Sequence, residues 1–564
     1  MRPATTEVLV VVDQVAPGAA LTHLPEGELL ADVVGERATH EAGVLRGRLA
    51  ADSMTSAVDQ LVAALRDSTS APLALVDGAL VAGPTLLGDV VAEPDGLGRI
   101  LRDDRGQVLA LRVAAGARED LAQALERAAS GWPPRRLLDA VADVAVDLGG
   151  AGRELTPGSF LATLAQTPDE AVGADERVGA VDEAALRLRR ASRSDDGFLS
   201  TFLVRPLSRP LTRRAVGAGL APAQVTAVAL LLGLLSALAY AGGSRVWLVV
   251  GSVLLLTSLV VDCVDGELAR YTRTTSARGA WLDVAADRIK EYAVYGALAA
   301  GVVGAGHEQW LLALASLGLL VTRHFVDFGF AARQVGGSAA TTAAEGAVGS
   351  WSARTDARPA VRYAKRAVIA PVGERTILLA VLAPTVGVRW TFVVLLALGV
   401  VAAGWTTAGR LGRALASRVR PSESARAQLA VQVDGRPLPL HGWRVGGPLG
   451  WLIPAGSRAL EQFGALLLVD WLAPAALPGL FGWLAVVAIA EYDVTYRGRL
   501  TGATAATGPL TVLGWPLRLA AVLVVAALAP DVAGWVFGIG AVLLGGSVLA
   551  SSRAYWSRWV PSTP

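Results

Sequence analysis

The sequence contains little cysteine and little charge. A single cysteine, Cys263, stands among 564 residues, which excludes an internal disulfide. Charged residues make up only 18%, and the formal net charge of +2 does not predict a nucleic-acid partner. Lysine occurs only at Lys290 and Lys365 and asparagine is absent, a bias typical of a GC-rich bacterial genome. The remaining composition is 53% hydrophobic with a mean hydropathy of +0.47, which indicates a membrane protein with some soluble mass.

The first third of the chain has the character of a soluble domain. Short apolar runs such as EVLVVVD and PLALVDGALVAG alternate with helical stretches such as AADSMTSAVDQLVAALRD and AREDLAQALERAAS. Because strands and helices that alternate along a chain are typical of α/β proteins, we predict an α/β domain over residues 1–190.

Ten apolar stretches follow, each near the ~20 residues that a membrane-spanning helix needs. They are residues 223–242, 246–261, 291–305, 309–323, 376–388, 391–408, 461–475, 478–490, 509–529 and 533–549. The sequence therefore predicts a polytopic α-helical membrane protein behind the α/β domain. Six spans form a unit over 195–412, a cytoplasmic linker covers 413–446, and four further spans form a membrane extension over 447–564.

The arginines predict the orientation of these spans. Basic residues are frequent before the first span and after the second, fourth and sixth, whereas the connections AGGSR, GAGHEQ and TVGVR carry little positive charge. Since basic loops stay in the cytoplasm, both ends of the six-span unit should lie there. We expect a multi-pass protein of the bacterial cytoplasmic membrane, with the polar residues between spans two and three on the cytoplasmic side.

Four aspartates occupy this connection. Asp262 and Asp265 are three residues apart and Asp283 and Asp287 four apart, so each pair shares one helix face. Between them, TRTTS predicts a break with Thr275 or Ser276 as an N-cap. Ionisable groups at membrane depth are usually functional, and hard oxygen ligands suit Mg²⁺ or Mn²⁺. We predict two such ions acting on a phosphate or pyrophosphate; the alternative is simple pairing of the acids with nearby arginines.

Small residues accompany the acids in a fixed order. The pattern is Asp262-x2-Asp265-Gly266-x2-Ala269-Arg270-x8-Gly279-x3-Asp283-x3-Asp287. Small side chains let a ligand approach the backbone, and an arginine can bind phosphate. At every fixed position this pattern resembles the signature of the CDP-alcohol phosphotransferases, and the similarity extends over about residues 195–412.

The resemblance implies an activity and a set of roles. Such enzymes transfer a phospho-alcohol group from a CDP-alcohol to the hydroxyl of an acceptor alcohol within the bilayer, and CMP leaves. Two divalent cations, Mg²⁺ or Mn²⁺, would be bound by Asp262, Asp265, Asp283 and Asp287, and Asp287 would also be the general base. Gly266, Ala269, Arg270 and Gly279 would hold the CDP moiety. A homodimer is a further expectation from the family.

Other stretches resemble one branch of this family. DGFLSTFLVRPLSRP and YAKRAVIAPVGER are similar to the fused inositol-phosphate cytidylyltransferase/di-inositol-phosphate phosphate synthases. Two features depart from the pattern. Ala223 replaces a family asparagine in Pro222-x3-Thr226, and residues 14–27 lack the Gly-rich loop of a nucleotidyltransferase. We therefore expect residues 1–190 to be a degenerate nucleotidyltransferase-like domain without that activity, or an unrelated α/β domain.

Basic residues on the cytoplasmic side are candidates for the acceptor's polar head, namely Lys290, Arg323 and Lys365. Their alternative role is to set topology as ordinary interfacial charges. His324 is interpreted as an interfacial histidine. In the C-terminal extension, which resembles an actinobacterial addition to such transferases, Arg497 should pair with Glu491 or Asp493 and anchor a helix end.

Two other classes of protein remain to be considered. A transporter also places acids in the membrane, but it typically has discontinuous helices at mid-bilayer and internal symmetry. An inactive scaffold on the same fold should have lost an aspartate, and this chain keeps all four. The transferase is therefore the favoured function.

Overall fold

The structure is a computed structural model. It describes residues 6–12, 30–39, 43–50, 53–67, 71–91, 98–128, 136–148, 153–155, 157, 160–192, 197–302, 307–333, 368–417, 421–434, 447, 449–501 and 514–559. The chain divides into two compact units. The N-terminal unit comprises Met1–Ala191 with Arg270–Thr275 and Pro561–Pro564, and the helical unit comprises Ser192–Ala269 and Ser276–Val560.

The N-terminal unit is built on a mixed sheet. Six strands pair in the order β2-β1-β3-β6-β5-β7, and β4 pairs with β8 in a separate small sheet. The strands are β1 Thr6–Val12, β2 Gly43–Ala50, β3 Leu73–Asp77, β4 Leu80–Ala82, β5 Arg99–Arg102, β6 Val108–Val113, β7 Arg153–Leu155 and β8 Ala162–Leu164. Strand β1 is parallel to β2 and β3, and β6 is antiparallel to β3 and β5.

Helices cover both faces of this sheet, which is why its central strands are mostly apolar. They are α1 Leu30–Thr39, α2 Met54–Arg66, α3 Pro84–Val91, α4 Arg118–Ala128, α5 Leu137–Asp147, α6 Pro168–Gly179 and α7 Glu183–Ala191. Val8 and Val10 face one apolar core, and Leu9 and Val11 face the other. The predicted α/β architecture of this region is confirmed. The loop 14–27 lies outside the described residues.

The helical unit contains twelve described α-helices. They are α8 Arg205–Gly217, α9 Pro222–Ala241, α10 Arg245–Tyr271, α11 Ala277–Gly301, α12 His307–Arg333, α13 Val372–Val386, α14 Val388–Ser417, α15 Glu423–Asp434, α16 Ile453–Leu472, α17 Leu477–Thr501, α18 Trp515–Leu528 and α19 Ala533–Arg558. Each of the ten predicted apolar stretches overlaps one of these helices. The stretch predicted as a linker contains α15, whose Leu429 and Val433 are buried in the common core.

Six segments of the described chain are long and apolar enough to cross a membrane. They are Pro222–Ala241, Arg245–Tyr271, His307–Arg333, Val388–Leu415, Pro474–Thr501 and Ala533–Arg558. The other four stretches form helices that are shorter or more charged. Helix α11 carries the two C-terminal aspartates of the motif, and α16 carries a buried Arg458 and Glu461. The charged side chains of α11 and α16 thus lower the mean hydropathy of these two helices, although both pack against the candidate spans.

The outer surface of the unit is apolar. Leu238, Val246 and Trp535 are 71%, 72% and 76% exposed, and many leucines and valines of α9, α10 and α19 share this exposure. Aromatic side chains such as Tyr292 and Phe392 fill the interior instead. Because a soluble protein rarely exposes so much contiguous apolar surface, this face suits contact with lipid.

The turn between α9 and α10 generates a prediction about stability. Gly243 has φ 68°, and a Cβ there would lie 1.6 Å from the carbonyl oxygen of Gly301 at the end of α11. Gly243→Ala should therefore be destabilised by left-handed strain of about 1–2 kcal/mol and by overpacking of about 1–3 kcal/mol. Thermal unfolding of the detergent-purified protein measures the loss.

Gly219→Ala is the matched control, because Gly219 has φ 64° but a Cβ added there would meet no atom within 4 Å. It carries the backbone strain alone and should lower the melting temperature less. Equal melting temperatures for the two variants would contradict the close approach of this turn to α11.

Candidate metal and phosphate site

The structure brings three of the predicted metal ligands together. Asp262 and Asp265 lie on α10 and Asp283 lies on α11, and one carboxylate oxygen from each falls within 4.8 Å of the others. A tight turn joins the two helices. Ser276 is the N-cap of α11, where its hydroxyl accepts a hydrogen bond from the Gly279 backbone N–H at 3.0 Å. The predicted break and cap between the acid pairs are thus confirmed.

The oxygens of this cluster have the chemistry of a hard-cation site. Asp265 is buried, and Asp262 and Asp283 are half-buried. Carboxylates gathered at this distance without histidine or cysteine suit Mg²⁺ or Mn²⁺. The residues present therefore fit a divalent cation.

Thr226 holds the buried member of the cluster. Its hydroxyl donates to Asp265 Oδ2 at 2.5 Å, and the threonine is itself 4% exposed. This threonine ends the Pro222-x3-Thr226 stretch in which Ala223 departs from the family pattern. Gln224 lies between Ala223 and Thr226. Its side-chain oxygen accepts a hydrogen bond from the Ala221 N–H at 2.9 Å and caps the N-terminus of α9. The threonine thus supplies a direct link from α9 to the acids.

Asp287 shares a basic partner with Asp262 of the cluster. Lys290 Nζ lies 2.5 Å from Asp262 Oδ1 and 3.1 Å from Asp287 Oδ1. The lysine stem passes against Gly233 of α9, where an added Cβ would meet its Cγ at 2.5 Å. Lys290, predicted as an acceptor residue, therefore lies beside the metal ligands and bridges the two halves of the motif.

A pocket opens next to these residues. Asp262, Asp287, Lys290 and Glu291 line one side of it, and Arg375 and Thr376 of α13 line the other. Glu291 accepts from Arg288 at 2.8 Å and from Arg375 at 2.9 Å. The two guanidinium groups therefore bind the same carboxylate, and of the two arginines Arg375 lines the pocket. The sequence analysis missed Glu291 and assigned no role to Arg375, although Arg375 closes the stretch YAKRAVIAPVGER.

Glu267 is a second residue that the sequence analysis missed. It is fully buried two residues after Asp265, and Arg205 Nη1 donates to it at 2.6 Å. The hydroxyls of Ser208 and Thr212 add bonds of 3.0 and 2.7 Å. Helix α8 is thereby fixed to the motif helix α10. Glu267 occupies a variable position of the motif, so its spacing gave no signal.

The remaining predicted residues take varied positions. Gly266 and Ala269 lie on α10 and Gly279 in the first turn of α11. Arg270, in the last turn of α10, donates through Nε to the Ala191 carbonyl oxygen. Arg323 of α12 donates to the Ile369 carbonyl oxygen. Lys365 lies outside the described residues. Their roles in binding CDP or the acceptor stay predictions.

The charged residues of the C-terminal extension are paired internally. Arg497 bonds to Asp493, as one of the two alternatives predicted, while Glu491 pairs with Arg458 and Arg518 instead. His324 bonds to the Tyr492 hydroxyl. Of these contacts, the bond between His324 and Tyr492 connects the extension to α12, whereas the ion pairs join helices of the extension to one another.

The described part of the helical unit thus combines six segments that could span a membrane with a cluster of three aspartates that could hold a metal ion. Residues 220–372 match the family model described as CDP-alcohol phosphatidyltransferase. This part of the chain is therefore a CDP-alcohol phosphatidyltransferase domain, in agreement with the resemblance drawn from the motif, and the chain is a multi-pass membrane protein.

Two curated relatives match part of the chain. The chain is 38% identical over 105 residues to the "Bifunctional IPC transferase and DIPP synthase" of Aquifex aeolicus (strain VF5), covering 18% of this chain and 23% of that protein. It is 32% identical over 132 residues to the protein of the same name from Thermococcus kodakarensis (strain ATCC BAA-918 / JCM 12380 / KOD1), covering 23% and 29%. The match thus spans about a quarter of the length of these relatives.

The bond from Thr226 to Asp265 generates a prediction about metal binding. Thr226→Val keeps the shape of the side chain and removes the donor that orients Asp265. We expect the dissociation constant for Mn²⁺ to rise about tenfold, since residues that orient a metal ligand have effects of this size. Titration followed by electron paramagnetic resonance of free Mn²⁺ measures it.

Thr226→Ser should retain near-native affinity because it keeps the hydroxyl. The control Thr257→Val lies on the same helix as Asp265, but its hydroxyl bonds only to the Val253 carbonyl among the described contacts. An unchanged Mn²⁺ affinity in Thr226→Val would show that Asp265 is not a metal ligand or is held without the threonine.

Proposed function

We propose that this protein transfers a phospho-alcohol group from a CDP-alcohol to the hydroxyl of an acceptor alcohol, forms a phosphodiester and releases CMP. The observation that carries the proposal is the meeting of the oxygens of Asp262, Asp265 and Asp283 within 4.8 Å, inside a domain of the matching family. A divalent cation bound between the three carboxylates would account for this convergence.

The proposed cofactors are two divalent cations, Mg²⁺ or Mn²⁺. Asp262, Asp265 and Asp283 would hold them, with Asp287 as a further ligand. Bound cations would neutralise the pyrophosphate of the donor and make CMP a better leaving group. The convergence of the acids supports this role because carboxylates this close repel one another without cations between them.

Asp287 is the proposed general base. It lines the pocket, where its carboxylate can accept the proton of an acceptor hydroxyl. The freed oxygen attacks the β-phosphorus of the donor, and a new P–O bond forms. The bond from that phosphorus to the oxygen bridging it to the α-phosphate breaks, and its electron pair leaves with CMP.

The donor nucleotide is proposed to lie along the small residues of the motif. Gly266, Ala269 and Gly279 offer little side-chain bulk, and Arg270 would bind a phosphate oxygen. At Gly279 an added Cβ would meet only the Ser276 hydroxyl, at 3.0 Å, so the side of α11 near its N-terminus is open to a close approach.

The acceptor is proposed to occupy the pocket beside Asp287. Lys290 and Arg375 line it and can bind an anionic or polyhydroxylated head group. Arg323 and Lys365 are further candidates. Because the relatives are named IPC transferase and DIPP synthase, an inositol phosphate is the first acceptor class to test, with CDP-inositol as donor. CDP-diacylglycerol is the alternative donor.

For the domains of the chain we propose only general roles. Residues 1–190 form a degenerate nucleotidyltransferase-like domain, 195–412 the catalytic membrane domain, 413–446 a cytoplasmic connection and 447–564 a membrane extension. The distribution of arginine supports a site that faces the cytoplasm of a bacterium. An inactive scaffold or a transporter on the same fold remains the alternative function, and the assay below separates them.

The direct test of the reaction is CMP release by the protein in detergent with Mg²⁺ or Mn²⁺. CDP-inositol and CDP-diacylglycerol are screened against inositol phosphate, glycerol phosphate and inositol. Asp287→Asn should lower kcat about 10²- to 10⁴-fold, since the amide cannot take the acceptor proton. Asp470→Asn, an acid paired with His307 away from the pocket, is the control.

Metal-dependent CMP release that persists in Asp470→Asn and is lost in Asp287→Asn supports the transferase. If no pair of substrates gives CMP and no CDP-alcohol binds in the presence of metal, the proposed function is wrong and the scaffold or transporter takes its place.

A second prediction concerns the acceptor. Arg375 binds Glu291 through two nitrogens, at 2.9 and 3.1 Å, which lysine cannot reproduce. Arg375→Lys should raise the KM of the acceptor about tenfold and leave the KM of the CDP-alcohol nearly unchanged. Initial rates with each substrate varied in turn measure both.

Arg389→Lys provides the matched control, because Arg389 pairs with Glu308 on an exposed surface. A rise in the KM of the donor alone in Arg375→Lys would place the nucleotide, and not the acceptor, in this pocket.

A further inference from the structure

Helix α11 presents two faces with different partners. Asp283 and Asp287 face the motif acids of α10, and Trp281 lies roughly 200° around the helix from Asp283. Arg288 lies roughly 100° from Asp287 on the same side as Trp281. This rear face of α11 is covered by α17, which belongs to the C-terminal extension and lies outside the matched residues 220–372.

The first contact on the rear face is a hydrogen bond from Trp281 to Asp493. Trp281 Nε1 donates to Asp493 Oδ1 at 2.9 Å. Arg497 Nε and the Ser552 hydroxyl donate to the same oxygen at 2.9 and 3.0 Å. Asp493 is 7% exposed, and the Trp281 ring packs against Trp556 with centroids 5.5 Å apart. Helices α17 and α19 thus hold Trp281 in one orientation.

The second contact runs from the pocket to the extension. Arg288 Nη1 donates to Glu291 at 2.8 Å and approaches His324 Nε2 at 3.3 Å. Since arginine only donates, Nε2 accepts, and Nδ1 carries the proton and bonds to the Tyr492 hydroxyl. A chain of polar contacts therefore leads from Glu291 in the pocket wall to Tyr492 on α17.

An Arg497–Asp493 pair within one helix would be sufficient to anchor the end of α17. The bond from Trp281 is additional, and it joins residues 212 positions apart in the chain. Trp281 lies two residues before Asp283, so its position fixes the first turns of α11 and with them the direction of the Asp283 and Asp287 carboxylates. Ligands of a metal must be held to about 0.5 Å for full effect.

We infer that the C-terminal extension is a working part of the transferase site, in which Asp493 positions the metal-binding helix α11 through its hydrogen bond with Trp281. The inference rests on the proposed function, since it assigns the extension to the same reaction. Trp281 and Asp493 are positioning residues, which act on the metal ligands and touch neither substrate.

The test compares two conservative tryptophan substitutions in the full-length protein. Trp281→Phe removes the N–H but keeps a ring against Trp556. Trp535→Phe, on α19 and 76% exposed, is the control. Trp281→Phe should raise the Mn²⁺ dissociation constant and lower kcat, each on the order of tenfold, with KM values changed less than twofold. Its melting temperature should stay within about 2 °C of wild type.

A double-mutant cycle tests whether the effect of Trp281 on Mn²⁺ affinity depends on Asp493 in the extension. Asp493→Asn alone should also weaken Mn²⁺ binding, because the amide is a poorer acceptor for Trp281. In the Trp281→Phe background, Asp493→Asn should change the Mn²⁺ affinity less than twofold, although its effect on stability through Arg497 persists.

The outcomes separate the inference from the proposed function. If the wild type binds Mn²⁺ and releases CMP while Trp281→Phe matches Trp535→Phe, the inference is wrong and the transferase stands. A large fall in melting temperature that parallels the loss of Mn²⁺ affinity would reduce Trp281 to a structural contact and also overturn it. A wild type that neither binds Mn²⁺ nor releases CMP would overturn both.

Discussion

The mutual repulsion of carboxylates in a membrane protein is the constraint on which this structure depends. The oxygens of Asp262, Asp265 and Asp283 meet within 4.8 Å. Two unit charges at that distance repel by about 3 kcal/mol at an effective dielectric constant near 20. Lys290 offsets part of the charge of Asp262 and Asp287, and Thr226 donates to Asp265. The remaining negative charge is what makes a cation site the best account of the cluster.

The same constraint explains the rest of the helical unit. Outside the cluster, the described part of the unit contains buried and half-buried carboxylates that are bound by arginine, as in the pairs Glu267–Arg205, Glu291–Arg375 and Asp493–Arg497. Burying such pairs has a large desolvation cost, so they contribute little net stability. Their effect is orientation, because removing one partner would leave an uncompensated charge. Helices α8 and α13 are thereby held against the helices that carry the motif, and the hydrogen bond from Trp281 to Asp493 holds α17 against α11.

Spacing and hydropathy along the chain were enough to predict the acids, their shared helix faces, a cap at Thr275 or Ser276 and the helices at the ten apolar stretches, because these depend on neighbours within a few turns. It did not reveal Glu267, Arg375 or Trp281 as site residues. Their partners lie 62, 84 and 212 positions away, and only the packing of helices brings them together. The charged side chains of α11 also face other helices, and they lower the mean hydropathy of this helix.

The most direct test of the central claim is the position of Mn²⁺ in crystals or frozen grids of the protein prepared with the metal. The account predicts anomalous or metal density bonded to oxygens of Asp262, Asp265 and Asp283, at the distances of about 2.0–2.2 Å typical of small divalent cations. Density bonded elsewhere, or three carboxylates paired only with arginine and lysine at saturating Mn²⁺, would contradict it.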